Sequence, residues 1–325
     1  MKTTSWENLR KAEIKAEKLN VPIRKALLPK GKELEIVSRS YFAKNVIKRK
    51  YNSHTGSNGR LLIVAGSNKF IGALLFSTLT ALRSGIGLVE VFSTQTVVST
   101  IAQNASEAIF NPCPENVNGQ ILATEKVLKA LEEAVKKADA VLFGCGLGVC
   151  KDTEKLLETV VNTADCPIII DADGINLVLP CIELLRKART DIILTPHPAE
   201  LARLAGVSVA EVLENRYEYA KKLSTEFSVT VMAKSAATLV VSKRNALVTI
   251  CGNDGLAKGG SGDMLAGLTA SFTAQGKSPT EACALASVTL GIACEKATKR
   301  YSRTCVTASD IIDALPSLFK KFERA

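Results

Sequence analysis

Aromatic side chains are scarce in this chain of 325 residues, since Phe, Trp and Tyr together make up 5% of it. The core must therefore be built mainly from Val, Ile, Leu and Ala, which suits buried parallel strands flanked by helices and argues against an all-β protein. Apolar residues make up 46% of the chain, enough for a large core. An α/β fold of this length is often one domain, and one globular unit is expected.

The residue patterns of zinc sites and disulfide frameworks are also missing. The sequence holds two His and nine Cys, and no C-x-x-C pair. A tetrahedral zinc set cannot be assembled from these residues in any recognisable spacing. Several cysteines stand inside apolar runs, where a thiol behaves as a small hydrophobic group. We therefore assign no metal-ligating side chains and expect a reducing compartment.

Long apolar runs are absent. No stretch reaches the roughly 18 apolar residues of a membrane span, and residues 1–20 lack the apolar centre of a secretory signal. These absences predict a cytoplasmic protein without a membrane partner. The net charge of +10 would attract a small anionic ligand such as a nucleotide. Because the basic residues are scattered and not interleaved with aromatic ones, we expect no nucleic-acid partner.

Short apolar runs alternate with helical patterns along most of the chain, which predicts an α/β fold with a mostly parallel, doubly wound sheet. Three closely spaced β-rich runs, 229–233, 238–241 and 246–250, predict hairpin-connected antiparallel edge strands. Residues 1–37 are predicted to be an N-terminal helical extension, and residues 38–325 the main domain. The predicted parallel strands are 61–67, 87–92, 140–143, 167–171 and 191–195, and the predicted helices among them are 71–85, 122–137, 152–161 and 182–188.

Polar or glycine-rich clusters follow the predicted strands. Because the carboxyl ends of parallel strands meet at one edge of a sheet, we expect these clusters to form a crevice there. They are Gly66-Ser67-Asn68, Gly144-Cys145-Gly146-Leu147-Gly148, Asp171-Ala172-Asp173-Gly174 and Thr195-Pro196-His197-Pro198-Ala199-Glu200.

The stretch Gly252–Asp263 crowds five glycines before an apolar helical pattern that begins at Met264. Backbone N–H groups and a helix N-terminus that converge on such a turn suit an anion. A carboxylate there repels an anion, which suggests that Asp263 is a base acting on a hydroxyl that receives a phosphoryl group. Asp is also a favoured helix N-cap, so the loop alone leaves both interpretations open.

Three further side chains have a functional and a structural interpretation. His197 lies between two prolines, which fix its backbone, and it is either a site residue or a plain loop residue. Asp171 and Asp173 could hold Mg²⁺ or form an Asx-type turn. Lys234 stands between two predicted strands, where it could meet phosphates or remain a solvated turn lysine.

Six separated motifs, in order, closely resemble the NAD(P)H-hydrate dehydratases of the ribokinase-like superfamily. The resemblance runs from about Ser38 to the end of the chain. It implies a ribokinase-like three-layer α/β/α fold. The motifs are Gly66-Ser67, Ala81-Leu82-Arg83-Ser84-Gly85-Ile86-Gly87, Gly144-Cys145-Gly146-Leu147-Gly148, Asp171-Ala172-Asp173-Gly174, Leu194-Thr195-Pro196-His197-Pro198-Ala199-Glu200 and Gly255–Gly267.

The resemblance implies an enzyme that repairs hydrated NADH or NADPH (NADHX, NADPHX) with ADP or ATP. It phosphorylates the ring hydroxyl, and phosphate is then eliminated. It also implies Mg²⁺ on the nucleotide phosphates and a homo-oligomer, commonly a tetramer. The implied site residues are Asp263 as base; Ala73, Gly146, His197 and Asp263 around the hydrate; Lys234, Ser235, Ala236, Ala237, Thr238 and Gly262 at the nucleotide; and Gly259, Gly260, Ser261 and Gly262 as the anion hole.

The sequence departs from the family pattern at three places. Ser235 follows Lys234 where the family usually has Gly. Cys145 replaces the proline of the usual Gly-Pro-Gly, and Thr55 replaces the lysine of the frequent His-Lys-Gly. A side chain at Ser235, where the backbone should approach the nucleotide, predicts a difference in nucleotide affinity or choice. Two alternatives are a vitamin or sugar hydroxymethyl kinase of the same superfamily and a catalytically silent nucleotide-binding protein.

Overall fold

The computed structural model describes residues 34–49 and 51–323. The strands are β1 Glu35–Val37, β2 Arg60–Val64, β3 Leu88–Thr94, β4 Ile109–Cys113, β5 Ala140–Phe143, β6 Ile168–Ile170, β7 Ile192–Leu194, β8 Thr230–Ala233, β9 Leu239–Val241 and β10 Ala246–Thr249. The helices are α1 Arg39–Asn45, α2 Ile71–Leu82, α3 Gln95–Ile101, α4 Glu125–Val135, α5 Lys151–Thr163, α6 Asp173–Val178, α7 Pro198–Ala205, α8 Val209–Phe227, α9 Ser261–Ala274, α10 Pro279–Cys305 and α11 Ala308–Glu323. Short 3₁₀ helices span Thr55–Asn58, Leu179–Lys187 and Asp254–Leu256.

The ten strands form one mixed, mostly parallel sheet, which confirms the predicted fold class. Strands β2 to β7 follow the order β7-β6-β5-β2-β3-β4 with parallel pairing throughout. β5, β6 and β7 consist entirely of buried apolar residues, as expected for strands that are covered on both faces. Residues 61–64 of β2 and 140–143 of β5 are fully buried, and they are paired in register from Leu61 with Ala140 to Val64 with Phe143.

The three β-rich runs pair as predicted. β9 lies between β8 and β10 and is antiparallel to both. β1 pairs in parallel with the other side of β10 and was not predicted, since a run of three residues carries little pattern.

The contacts between residues divide the chain into two compact units. The first unit contains the residues up to 48, 195–261 and those from 280 onward. The second contains residues 49–194 and 262–279. The predicted helical extension of residues 1–37 lies largely outside the described residues, and the boundary at 37/38 stays a prediction.

Most predicted helices are present within a few residues of their expected bounds, with one difference of type. The helix expected over 182–188 is a 3₁₀ segment that begins at Leu179, and a short α-helix, α6, precedes it. Cys181, inside the 3₁₀ segment, has non-helical dihedral angles (φ −131°, ψ 37°), so a kink interrupts that segment. All nine cysteines are free thiols. No helix among residues 34–49 and 51–323 is both long and apolar enough to cross a membrane.

Candidate active site

The turn Gly144–Gly148 after β5 is packed tightly against the start of α2 in the second unit. A Cβ on Gly146 would lie 2.6 Å from the Cβ of Phe70 and 2.8 Å from that of Ala73, so only glycine fits there. The Ser67 hydroxyl donates to the Gly146 carbonyl at 2.8 Å, and the Gly66 N–H donates to the Cys145 carbonyl at 2.9 Å. Gly146 and Ala73, both predicted to contact the hydrate, are therefore neighbours.

The Asp171–Gly174 cluster after β6 contacts the same turn. The Asp173 carboxylate accepts the Gly148 N–H at 2.8 Å, and the Asp171 carboxylate accepts the Cys145 thiol at 3.4 Å. Asp171 and Cys145 are both buried. The parallel register of β2, β5 and β6 thus brings three of the predicted strand-end clusters together at one edge, as the sequence indicated.

Asp263 joins this group. One ligand-type atom from each of Cys145, Asp171 and Asp263 lies within 4.8 Å of the other two. The two carboxylates are oxygen donors of the kind Mg²⁺ prefers, whereas the thiol is a soft donor that does not suit it. The Asp263 carboxylate is thus held beside a second carboxylate, at the strand edge where the sequence placed the reaction.

The helix that carries Asp263 begins at the glycine loop. α9 starts at Ser261, directly after Gly260, whose φ of +90° is readily adopted by glycine. Asp263 lies in the first turn of the helix, where unpaired backbone N–H groups favour negative charge. The Ser261 hydroxyl oxygen is buried and has no hydrogen-bond partner among the described residues. A buried hydroxyl of this kind is a donor suited to an incoming anion.

His197 caps α7 in the first unit. Its Nδ1 accepts the N–H groups of Ala199 at 3.1 Å and Glu200 at 3.4 Å. Because Nδ1 is an acceptor, the proton of the neutral ring lies on Nε2, which is 3.2 Å from Glu200 Oε1. About half of the side chain is exposed. The capping contacts fix the orientation of the ring, so the structural interpretation of His197 holds for Nδ1.

Lys234 is connected to His197 through Glu200. The Lys234 N–H donates to the Pro196 carbonyl at 2.8 Å, and its ammonium lies 3.9 Å from Glu200 Oε2. Glu200 Oε2 also accepts a hydrogen bond from the backbone N–H of His197 at 2.7 Å. Lys234 is therefore mostly buried in an ion pair rather than solvated in a turn. Glu200 is 3% exposed and was not predicted as a site residue, although its place at the third position of α7 is a capping-box signal.

The segment 235–238 is a hydrogen-bonded turn between β8 and β9. The Ser235 hydroxyl accepts the Ala237 N–H at 3.2 Å, and the Thr238 hydroxyl donates to the Ser235 carbonyl at 3.2 Å. The Ser235 hydroxyl also accepts a hydrogen bond from Arg216 of α8. Arg216 was not predicted as a site residue, because nothing in the pattern of a long amphipathic helix marks one arginine as buried.

The predicted residues are thus divided between the two units. Those in the second unit are Ala73, Gly146, Gly262 and Asp263. Those in the first unit are His197, Lys234, Ser235, Ala236, Ala237, Thr238, Gly259, Gly260 and Ser261.

Known proteins with similar sequences bear out the resemblance. The chain is 31% identical to the ADP-dependent (S)-NAD(P)H-hydrate dehydratase of Bacillus subtilis over 85% of this chain and 94% of that protein. It is 30% identical to the bifunctional NAD(P)H-hydrate repair enzyme Nnr of Moorella thermoacetica over 85% of this chain, but only 52% of that protein. The chain spans about half the length of several curated relatives that it matches.

Solved structures agree. The ADP/ATP-dependent NAD(P)H-hydrate dehydratase of Bacillus subtilis, co-crystallised with ATP and Mg²⁺, superposes with a TM-score of 0.76 at 28% identity, covering 89% of this chain and 99% of that one. A ribokinase-like superfamily protein from Enterococcus faecalis has a TM-score of 0.79 at 24% identity over 93% of this chain and 100% of that one, a likeness that bears on the fold alone. The model of one protein family, described as NAD(P)H-hydrate dehydratase, matches residues 61–317. With most of its length matched by that model, the chain belongs to the NAD(P)H-hydrate dehydratase family.

Proposed function

We propose that this chain is a carbon–oxygen lyase that restores NADH and NADPH from their hydrates at the expense of ADP or ATP. Membership of the family supports the proposal, as does the activity for which the Bacillus subtilis relative is named. The observation that carries it is the position of Asp263, in the first turn of α9 directly after a glycine loop and beside Asp171. A base and an anion-binding helix end lie within one helical turn of each other.

The proposed reaction has two stages. The Asp263 carboxylate takes the proton of the ring hydroxyl, and the resulting oxygen attacks the terminal phosphorus of the nucleotide. The phosphorus–oxygen bond to the nucleotide breaks, which releases AMP from ADP or ADP from ATP. The ring carbon–oxygen bond then breaks, phosphate departs with the bonding electrons, and the ring loses a proton as its carbon–carbon double bond forms again.

The glycine loop would stabilise the transferring phosphoryl group. Its developing charge can be met by backbone N–H groups of Gly259–Gly262 and by the buried Ser261 hydroxyl. Lys234 would contribute a point charge for the nucleotide phosphates from the turn after β8. Since phosphoryl transfer needs little covalent help from the protein, orientation and charge account for most of the proposed acceleration.

The donor set of the second unit fits Mg²⁺ in part. Asp171 offers a carboxylate of the preferred kind, whereas Cys145 beside it does not. Mg²⁺, when bound to the nucleotide phosphates, would neutralise part of their charge. Asp263 keeps its role as base, and we assign no protein side chain as a ligand of Mg²⁺.

On the hydrate side, we propose Ala73 and Gly146 as contacts of the ring. The two residues are neighbours, since a Cβ on Gly146 would lie 2.8 Å from that of Ala73. We also propose His197 as a contact of the hydrate. We also propose that the protein is cytoplasmic and assembles into a homo-oligomer. Light scattering should give the mass of a tetramer.

The test is to incubate the purified protein with hydrated NADH, Mg²⁺ and either ADP or ATP. Restored NADH is expected to appear as absorbance near ~340 nm, a property of the reduced nicotinamide ring. A reaction without nucleotide is the control for spontaneous recovery. Absence of recovery with both nucleotides, from protein shown to be folded, would contradict the proposal. Phosphorylation of a vitamin or sugar hydroxymethyl group in parallel assays would instead support the kinase alternative.

A further inference from the structure

A buried arginine stands behind the turn that we assign to the nucleotide. Arg216 lies on α8, one residue after Asn215, whose dihedral angles (φ −127°, ψ 34°) interrupt the helix. It is 3% exposed. One terminal nitrogen of its guanidinium donates to the Ser235 hydroxyl, and the other donates to the Ala237 carbonyl at 2.6 Å. A single side chain therefore ties both sides of the turn to the helix.

Ser235 is bound from two directions. Its hydroxyl oxygen accepts hydrogen bonds from the Arg216 guanidinium and from the Ala237 N–H. The same hydroxyl donates to the Ala237 carbonyl at 3.1 Å. The hydroxyl that departs from the usual family glycine is thus occupied in holding the turn. A glycine in its place would leave one Arg216 donor without this acceptor and would widen the range of backbone conformations open to the turn.

Burying the guanidinium has a cost that these acceptors reduce only in part. Removal from water lowers the pKa of Arg216 to about 10, so the group stays charged at neutral pH. The Ser235 hydroxyl and the Ala237 carbonyl oxygen accept hydrogen bonds from the buried cation and so replace part of its lost hydration.

We propose that Arg216 is a positioning residue for the nucleotide: through Ser235 and Ala237 it holds the turn 234–238 in the conformation that binds the phosphates. This inference rests on the proposed function, since it takes the turn to be the nucleotide site. It assigns Ser235 the role of a connector between arginine and turn. It gives Arg216 no contact with the reacting atoms.

The test measures the dissociation constant of ADP by calorimetry, together with KM for nucleotide and kcat. Ser235→Ala and Arg216→Gln are each expected to weaken ADP binding about 10-fold, the size of one lost charge-assisted hydrogen bond. The rise in KM for nucleotide should exceed any fall in kcat. Ser235→Thr keeps the hydroxyl and should restore binding to within about 3-fold of the starting protein.

The chain provides a matched control on the same helix. The Lys221 ammonium donates to the Ser242 and Lys243 carbonyls at 3.1 and 2.9 Å, and so ties α8 to a different turn. Lys221→Gln should lower stability without changing ADP affinity. A variant that carries both Arg216→Gln and Ser235→Ala should lose less free energy of ADP binding than the two single variants together, because both residues belong to one contact.

The outcomes separate the two proposals. If the unaltered protein binds neither ADP nor ATP, the proposed function fails. If it binds ADP and a folded Arg216→Gln variant binds equally well, the inference about Arg216 is wrong. Should Arg216→Gln not fold, Ser235→Ala decides, since unchanged ADP affinity there would overturn the proposal and weakened affinity would support it.

Discussion

Two glycine-rich segments serve the proposed site in different ways. In the turn Gly144–Gly148, the protein's own packing explains the glycines: a Cβ on Gly144 would overlap the Asp171 carbonyl, and φ there is +115°. In the loop before α9, a Cβ on Gly259 would meet no other described heavy atom within 4 Å, and its φ lies outside the left-handed region. Neither sterics nor backbone strain requires glycine at Gly259.

The difference indicates which glycines serve the fold and which serve the ligand. A glycine that its own neighbours require would be selected by folding alone. A glycine in open space, next to a helix N-terminus with a buried hydroxyl at Ser261, is better explained by the close approach of an anion to the backbone. The two segments can therefore be distinguished by whether substitution damages stability or activity.

Gly144→Ala should have the largest effect, and on stability. The added methyl group would collide with the Asp171 carbonyl and would force a strained positive φ. We expect a loss of about 3 kcal/mol or more in the free energy of unfolding, measured by denaturant titration. A stable, fully active variant would show that the turn can relax and that its glycine is not structural.

Asp263→Asn should reduce kcat by about 10²-fold or more, because an amide cannot act as the general base. ADP binding should survive, and the free energy of unfolding should change less than in Gly144→Ala. Steady-state kinetics, calorimetry with ADP and denaturant titration on the same preparation check these three statements. Full turnover by the variant would remove Asp263 from its proposed role.

Gly259→Ala should have the smallest effect on stability and a clear effect on function. With open space around the position, we expect the free energy of unfolding to change by no more than about 1 kcal/mol. ADP affinity or kcat should fall about 10-fold if the backbone approaches the phosphates there. A stability loss as large as that of Gly144→Ala would break the distinction between the two segments.

The sequence predicts the parallel sheet well because its strands are short apolar runs with glycine or aspartate at their ends. Parallel pairing of β2, β5 and β6 then follows from the helices between them, and it brings Gly146 and Asp171 to one edge. The order of the motifs along the chain was sufficient to indicate this convergence.

Other elements carry weaker signals. β4 contains Asn111 and Pro112, and proline normally argues against a strand, so residues 109–113 were not predicted. The contact between Arg216 and Ser235 joins a helix to a turn 19 residues away, and no local periodicity encodes it. Cys145 likewise becomes notable only when the sheet places its thiol beside Asp171.

The packing of the helix that carries Asp263 determines how far from the proposed site a substitution can affect activity. Every residue of α9 from Met264 to Ala274 is buried, and a Cβ on Gly267 would overlap the Ser77 carbonyl of α2. The two helix backbones are in direct contact there, and a larger side chain at Gly267 could be accommodated only by moving one helix along with its terminus. Variants one turn or more from the carboxylate should thus resemble active-site variants in their kinetics, so the region sensitive to mutation extends well beyond the groups that touch the substrate.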